Sequence, residues 1–122
     1  MNLPNVISAE QPVARRPGEC VVEFWLGFLG HRWNALVLWH LKTGPKRNGE
    51  LMKSLPGIVP KVLTERLDAL CETGLIARVS GATFPRSVTY LLTAKGRQLT
   101  GILDQLELWA RIDDQGQAPQ PD

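Results

Sequence analysis

A mainly α-helical fold carrying a small β-hairpin wing is what the order of patterns along this 122-residue chain predicts. Three observations carry that expectation. Between Asn48 and Cys71 two short helical patterns meet at Pro56-Gly57. Between Leu75 and Leu92 two strand-like runs are separated by a segment holding Gly81 and Pro85, which marks a hairpin longer than a two-residue turn. Before and after this stretch stand apolar helical patterns, one opening after Cys20 and one reaching Arg111. Helix, turn, helix and a two-stranded ribbon make an α+β winged helix-turn-helix, here flanked by N- and C-terminal helices whose apolar faces suit dimerisation.

Each element has its own signal. Residues 1–18 contain Pro4, Pro12 and Pro17 with little periodicity and read as a flexible arm. Residues 113–122 are polar and read as a flexible tail, which leaves 19–112 as the winged domain with its dimerisation helices. Val21, Phe24, Trp25 and Phe28 recur at helical spacing in the first helix, and Gly30 breaks it. A second helix is expected over about Arg32–Leu41, with Trp33, Leu36, Val37 and His40 on one side, ending before Gly44-Pro45. The third, about Asn48–Ser54, turns Leu51 and Leu55 inward.

The fourth helix starts near Pro60, whose fixed φ suits the first helical position. Val62, Leu63, Leu67, Leu70 and Cys71 form its expected buried stripe, and Gly74 ends it. Strands Leu75–Val79 and Val88–Leu92 follow, the second alternating Val88, Tyr90 and Leu92. Thr93 can cap the last helix, about Ala94–Arg111, whose apolar residues are Leu99, Ile102, Leu103, Leu106, Trp109 and Ala110.

Composition excludes several classes of function. A hydrophobic share of 43% and a charged share of 21% are ordinary for a globular domain. No apolar run approaches a membrane span or a secretory signal, so a cytoplasmic protein without a membrane partner is expected. Cys20 and Cys71 lie far apart, and a reducing compartment disfavours a disulfide between them. With His31 and His40 they lack the short spacings of a metal site, so neither metal nor cofactor is expected. There is no Ser-His-Asp set, phosphate-cradling glycine loop or carboxylate pair in an apolar run, so the chain does not read as an enzyme.

Net charge is only +2, but its distribution is uneven. Lys42, Lys46, Arg47, Lys53, Lys61 and Arg66 are opposed in their stretch only by Glu50 and Glu65. From Asp104 onward the balance turns acidic. A basic centre in a nearly neutral chain suits a phosphate-facing surface. Burial of the fourth helix's stripe turns Lys61, Thr64, Glu65 and Asp68 outward, with Arg66 at the margin. The second helix of a helix-turn-helix enters the major groove N-terminus first, which makes Lys61 and Thr64 candidates for base contact. Glu65 can accept from cytosine or orient Lys61 or Arg66, and Arg66 can serve a phosphate or an internal ion pair. On the wing, Arg78, Arg86 and Ser87 suit phosphate or minor-groove contact, and Arg47 suits a backbone clamp ahead of the third helix. Double-stranded DNA is the expected partner. A winged helix that docks on protein without DNA is the alternative, favoured by the modest charge and the acidic end. Trp25, Trp33, Trp39 and Trp109 either line a cavity for a small-molecule effector or pack in the core.

The ordered pieces GHRWNALVLWHLKTGPKRNGEL, LPGIVPKVLTERLDALCETGLIARV and FPRSVTYLLTAKGRQL, with a cysteine ahead of the first helix, resemble the HxlR-type winged helix-turn-helix regulators of bacteria, a branch near the MarR-type fold. The likeness runs from Cys20 to about Trp109. It implies a homodimer on a two-fold-related operator, with the first and last helices building the dimer contact. Phe24, Phe28, Leu99, Ile102, Leu103, Leu106 and Trp109 are the residues expected there, since a lone subunit would leave these stripes half-covered. Cys20 matches a position where some members carry a cysteine that senses oxidants. Amides at a helix N-terminus favour a thiolate there, whereas a small packed residue at the dimer contact is the other role open to it. Three positions depart from the family's pattern: Asn48 stands for Phe, Val59 for a capping Ser, and Thr89 for Glu.

Overall fold

The computed structural model describes residue 16, residues 18–81 and residues 87–112. The expectations for Arg86, for residues 1–15 and for the tail 113–122 lie outside the described residues. The elements are α1 (Val21–Gly30), α2 (Asn34–His40) running into a 3-10 turn (Leu41–Thr43), β1 (Lys46–Arg47), α3 (Asn48–Ser54), α4 (Pro60–Glu72), β2 (Ile76–Ser80), β3 (Val88–Leu92) and α5 (Ala94–Ala110). The strands form an antiparallel sheet in the order β1-β3-β2. This is the winged helix-turn-helix architecture the patterns predict.

Residues up to Gly30 form one unit and those from His31 a second. In the first, Phe24, Trp25 and Phe28 make an aromatic cluster along α1, with centroid separations of 5.2, 6.2 and 5.7 Å. None of the residues of α1 is buried.

In the second unit the core is built from Val37, Leu38, Leu41, Leu51, Leu55, Ile58, Leu63, Leu67, Leu70, Leu75, Ile76, Tyr90 and Leu92. On α2 the buried face is offset by one position along the chain from the expected one, the two sharing only Val37. Asn34, Val37, Leu38 and Leu41 point inward at i, i+3, i+4 and i+7, while Leu36 is exposed. A polar residue at the first core position conceals that stripe from a hydrophobicity pattern. The helix also starts later than expected, because Trp33 takes a left-handed φ of 83° ahead of it.

The turn before α4 uses Gly57 at φ +96°, a conformation that L side chains rarely adopt. Pro60 holds the first helical position, and Val59 supplies no side-chain cap. Leu63, Leu67 and Leu70 are fully buried, with Val62 and Cys71 half-buried beside them. The helix ends in a Schellman motif. Gly74, at φ +81°, donates its amide to the Cys71 carbonyl at 3.0 Å, and Leu75 donates to Leu70 at 3.1 Å.

Strand β2 begins one residue later than expected, while β3 matches. Strand β1 is an addition: Lys46 pairs with Tyr90 and Arg47 with Thr89. Two residues are too few to show an alternation, so only the pairing with β3 reveals them as a strand.

The start of α5 is tied to the end of α4. The Thr93 amide donates to the Leu75 carbonyl at 3.0 Å, and its hydroxyl donates to the Gly74 carbonyl at 2.6 Å. The same hydroxyl oxygen accepts from the Gly96 amide at 3.1 Å, which is the expected N-cap. A Cβ on Gly96 would overlap the Leu75 carbonyl oxygen. Gly96→Ala is therefore expected to destabilise by about 3 kcal/mol despite alanine's better helix propensity, read as a lower urea midpoint at unchanged m. Val59→Ser should act oppositely, adding about 1 kcal/mol by capping α4. A Val59→Ser midpoint at or below the wild type's would show that the cap is not limiting.

Candidate nucleic-acid interface

Rotation of α4 is set by the leucines it buries. With Leu63, Leu67 and Leu70 inward, Lys61, Thr64, Glu65 and Asp68 fall at i, i+3, i+4 and i+7 on one exposed stripe. Lys61 and Thr64 occupy the N-terminal end of that stripe. Among the described residues Glu65 forms no ion pair with Lys61 or Arg66. Arg66 is half-buried, and its Nη1 donates to Oδ1 of the buried Asn34 at 3.4 Å, tying α4 to α2. The polar core residue that hid the α2 stripe is thus the acceptor for this arginine.

Arg47 stands immediately before α3 with its side chain exposed. Its backbone amide donates to Glu50 Oε1 at 2.8 Å, which satisfies one of the open amide donors at the helix start. Exposed Arg47 thus joins the sheet edge to the first helix of the helix-turn-helix pair.

On the wing, Ser87 is half-buried at the foot of the hairpin, where its carbonyl accepts from the Gly81 amide at 2.6 Å. A Cβ on Gly81 would crowd the Ser87 hydroxyl. Arg78, expected at DNA phosphate, engages its own chain. Its Nη2 lies 2.7 Å from Asp68 Oδ1, its Nε donates to the Tyr90 hydroxyl at 3.4 Å, and its guanidinium carbon sits 5.4 Å from the Tyr90 ring centre. The bond to Tyr90, then that to Asp68, raise its already high pKa. Next to this cluster, burial pushes the Cys71 thiol above its ordinary 9.0, Arg78 partly offsets the rise and Asp68 adds to it. That thiol stays protonated at neutral pH, as an unreactive cysteine does. No sequence pattern pairs Arg78 with Asp68, although the cross-strand position of Arg78 opposite Tyr90 follows from the hairpin register.

The residues expected at a dimer contact divide by exposure. On α5, Gly96 and Thr100 are buried and Leu99 and Leu103 half-buried. Ile102, Leu106 and Trp109 are 63%, 54% and 71% exposed at i, i+4 and i+7, a continuous apolar stripe. On α1, Phe24 is exposed and Phe28 half-buried, and Cys20 is half-buried just ahead of the helix. Between α2 and α5 runs a groove of about 390 Å³ with Leu36, Trp39 and Leu103 among its apolar walls. The Lys42 ammonium at its rim is 2.7 Å from Asp104 Oδ1. Trp33 lines a different groove with Leu55 and Pro56. Of the four tryptophans, Trp39 alone is placed among the described residues of the α2–α5 groove.

Among the described residues no group of three or more His, Cys, Asp or Glu side chains is placed to hold a metal ion. No helix described is long and apolar enough to cross a membrane.

Comparison with known proteins agrees with this geometry. The family model for the HxlR-like helix-turn-helix matches residues 28–116. A regulatory protein named MalR from Fusobacterium mortiferum is 38% identical over 94 residues, covering 76% of this chain and 89% of that protein. The reduced form of the transcriptional regulator YodB from B. subtilis superposes with a TM-score of 0.71 at 33% identity, covering 79% of this chain and 96% of that one. The redox regulator HypR in its oxidized form gives a TM-score of 0.69 at 33% identity, covering 77% and 97%. A winged fold, an outward-turned helix face and a family model spanning most of the chain lead to one assignment. The protein belongs to the HxlR-like helix-turn-helix family of DNA-binding transcriptional regulators.

Proposed function

We propose that this protein is a cytoplasmic, homodimeric regulator that binds a two-fold-related site in duplex DNA, reading sequence with α4 and gripping backbone with α3 and the wing. The observation that carries this reading is the exposed stripe opposite Leu63, Leu67 and Leu70, with Lys61 and Thr64 at its leading end. In this role Lys61 and Thr64 meet base edges, Glu65 accepts from an exocyclic amine, and Arg47, Ser87 and Arg86 hold phosphates. Arg66 contributes from the margin while bonded to Asn34. Residues 19–112 make up the working unit.

Dimerisation is supported by the stripe of Ile102, Leu106 and Trp109, too apolar and too continuous for solvent, and by α1, which buries no residue. Two copies related by a two-fold axis would present their reading helices about 34 Å apart, one turn of duplex. A small rotation at the dimer contact changes that spacing, so a signal there alters DNA affinity. Two sources of signal fit: a small molecule in the α2–α5 groove, or oxidation of Cys20 at the start of α1. HypR is described as a redox regulator, which favours the second.

Affinity for duplex should fall as salt rises, with a log–log slope of about −0.9 per phosphate neutralised. Arg47→Ala should weaken all duplexes alike and flatten that slope by about one unit, whereas Lys61→Ala should narrow the gap between preferred and random sequence by about 1–3 kcal/mol. Loss of duplex binding at low salt in the wild type would favour the protein-docking alternative. Leu106→Glu should shift the sedimentation coefficient to that of a monomer and weaken binding to a two-fold site. Cys20→Ser should make duplex affinity insensitive to diamide; equal sensitivity in wild type and variant would remove Cys20 from the mechanism.

A further inference from the structure

We propose that Arg78 is a positioning residue that straps the wing to the reading helix through Asp68 and Tyr90, and does not itself touch DNA. The inference rests on the DNA-binding reading above, but its geometry stands in the free protein.

Tyr90 provides the fixed end of the strap. It lies in the central strand of the sheet, paired with Lys46 on one side and Arg78 on the other, and is 8% exposed. Directly opposite it in register, Arg78 directs Nε to the phenol oxygen and lays its guanidinium near the ring. Nη2 then reaches Asp68, ten residues back on α4. One planar cation thus serves two acceptors on different elements, which a lysine ammonium on a flexible stem cannot reproduce in the same geometry.

Position makes the strap consequential. Leu75 and Ile76 anchor the foot of the hairpin in the core, but from Ala77 outward β2 is half-buried and then exposed, so its outer part is held by contacts such as this one. Asp68–Arg78 joins it to α4 near the end of the helix. Asp68 also lies on the same exposed stripe as Lys61, Thr64 and Glu65. Both side chains of the pair are about half-exposed, at 44% and 55%, so the contact adds little to global stability and acts locally.

The opposing role, a phosphate contact, predicts effects of opposite sign. If Arg78 binds phosphate, Asp68→Asn releases it and deletes a negative charge, so duplex binding tightens. If Arg78 is a strap, the same substitution loosens the wing and binding weakens. The test uses full-length protein and a fluorescent duplex enriched by the wild type from a random pool, titrated across a salt series. Asp68→Asn and Arg78→Ala should each weaken binding by about fivefold to tenfold, and the double variant should be no weaker than the worse single one. The salt slope should stay unchanged, and Arg78→Lys should behave like Arg78→Ala despite keeping its charge. Tighter binding by Asp68→Asn, wild-type binding by Arg78→Lys, or a slope flattened by about 0.9 in Arg78→Ala would overturn the proposal.

Amide hydrogen exchange of the free protein separates failure of the strap from failure of the DNA reading. Faster exchange across β2 and β3 in both single variants, with the amides of Leu67 and Leu70 unchanged, supports the strap even if the wild type enriches no duplex. Unaltered exchange in β2 and β3 overturns it.

Discussion

Burial of Leu63, Leu67 and Leu70 is the constraint from which the interface follows. Each leucine contributes about 1.5–3 kcal/mol on leaving water, so the trio outweighs the roughly 1 kcal/mol that a missing N-cap removes from α4. The helix is therefore held in rotation by its core even though Val59 offers its first turn no side-chain oxygen. Everything offered to a partner by this element, from Lys61 to Asp68, is what remains on the opposite side. The end of the helix is fixed separately, by the Schellman turn at Gly74 and by Thr93, which bonds to the carbonyls of both Gly74 and Leu75. Core packing sets the face, and the turn sets where the wing departs.

The arginines near this face divide into two groups by what they bond. Arg47 is exposed beside the start of α3, as its proposed phosphate contact requires. Arg66 and Arg78 instead spend donors on Asn34 and on Asp68 with Tyr90. With a net charge of only +2, the chain has few cations to spare, and using two of them internally makes the outward basic surface sparse. In the proposed homodimer two such surfaces are joined on one duplex, and the exposed stripe on α5 and the apolar α1 are the faces proposed to join them.

Much of this was legible in the sequence, and the exceptions have physical causes. Helix α4 is legible to the residue at its start because the Pro56-Gly57 turn and Pro60 mark it, and α3 matches its expected span. The cap at Thr93 was readable for the same reason: it is local. The buried face of α2 was displaced because Asn34, a polar residue, sits in the core. Strand β1 was invisible because two residues carry no period. Gly96 gave no sign, since the obstacle is the carbonyl of Leu75 across the fold. The bonds of Arg78 give no sign in the sequence, since charge on a hairpin suggests phosphate while its partners come from α4 and the neighbouring strand. What sequence shows poorly is contact between side chains far apart in the chain.

The outward stripe of α4 is the surface proposed to meet DNA. Backbone amide shifts measured as an enriched duplex is added to isotope-labelled protein test this most directly. The largest changes should map to Lys61, Thr64 and Glu65, with Arg47 and Ser87 at the edge of the footprint. Changes confined to α1, to the Ile102–Trp109 stripe or to the groove around Trp39, with the α4 amides unmoved, would contradict it.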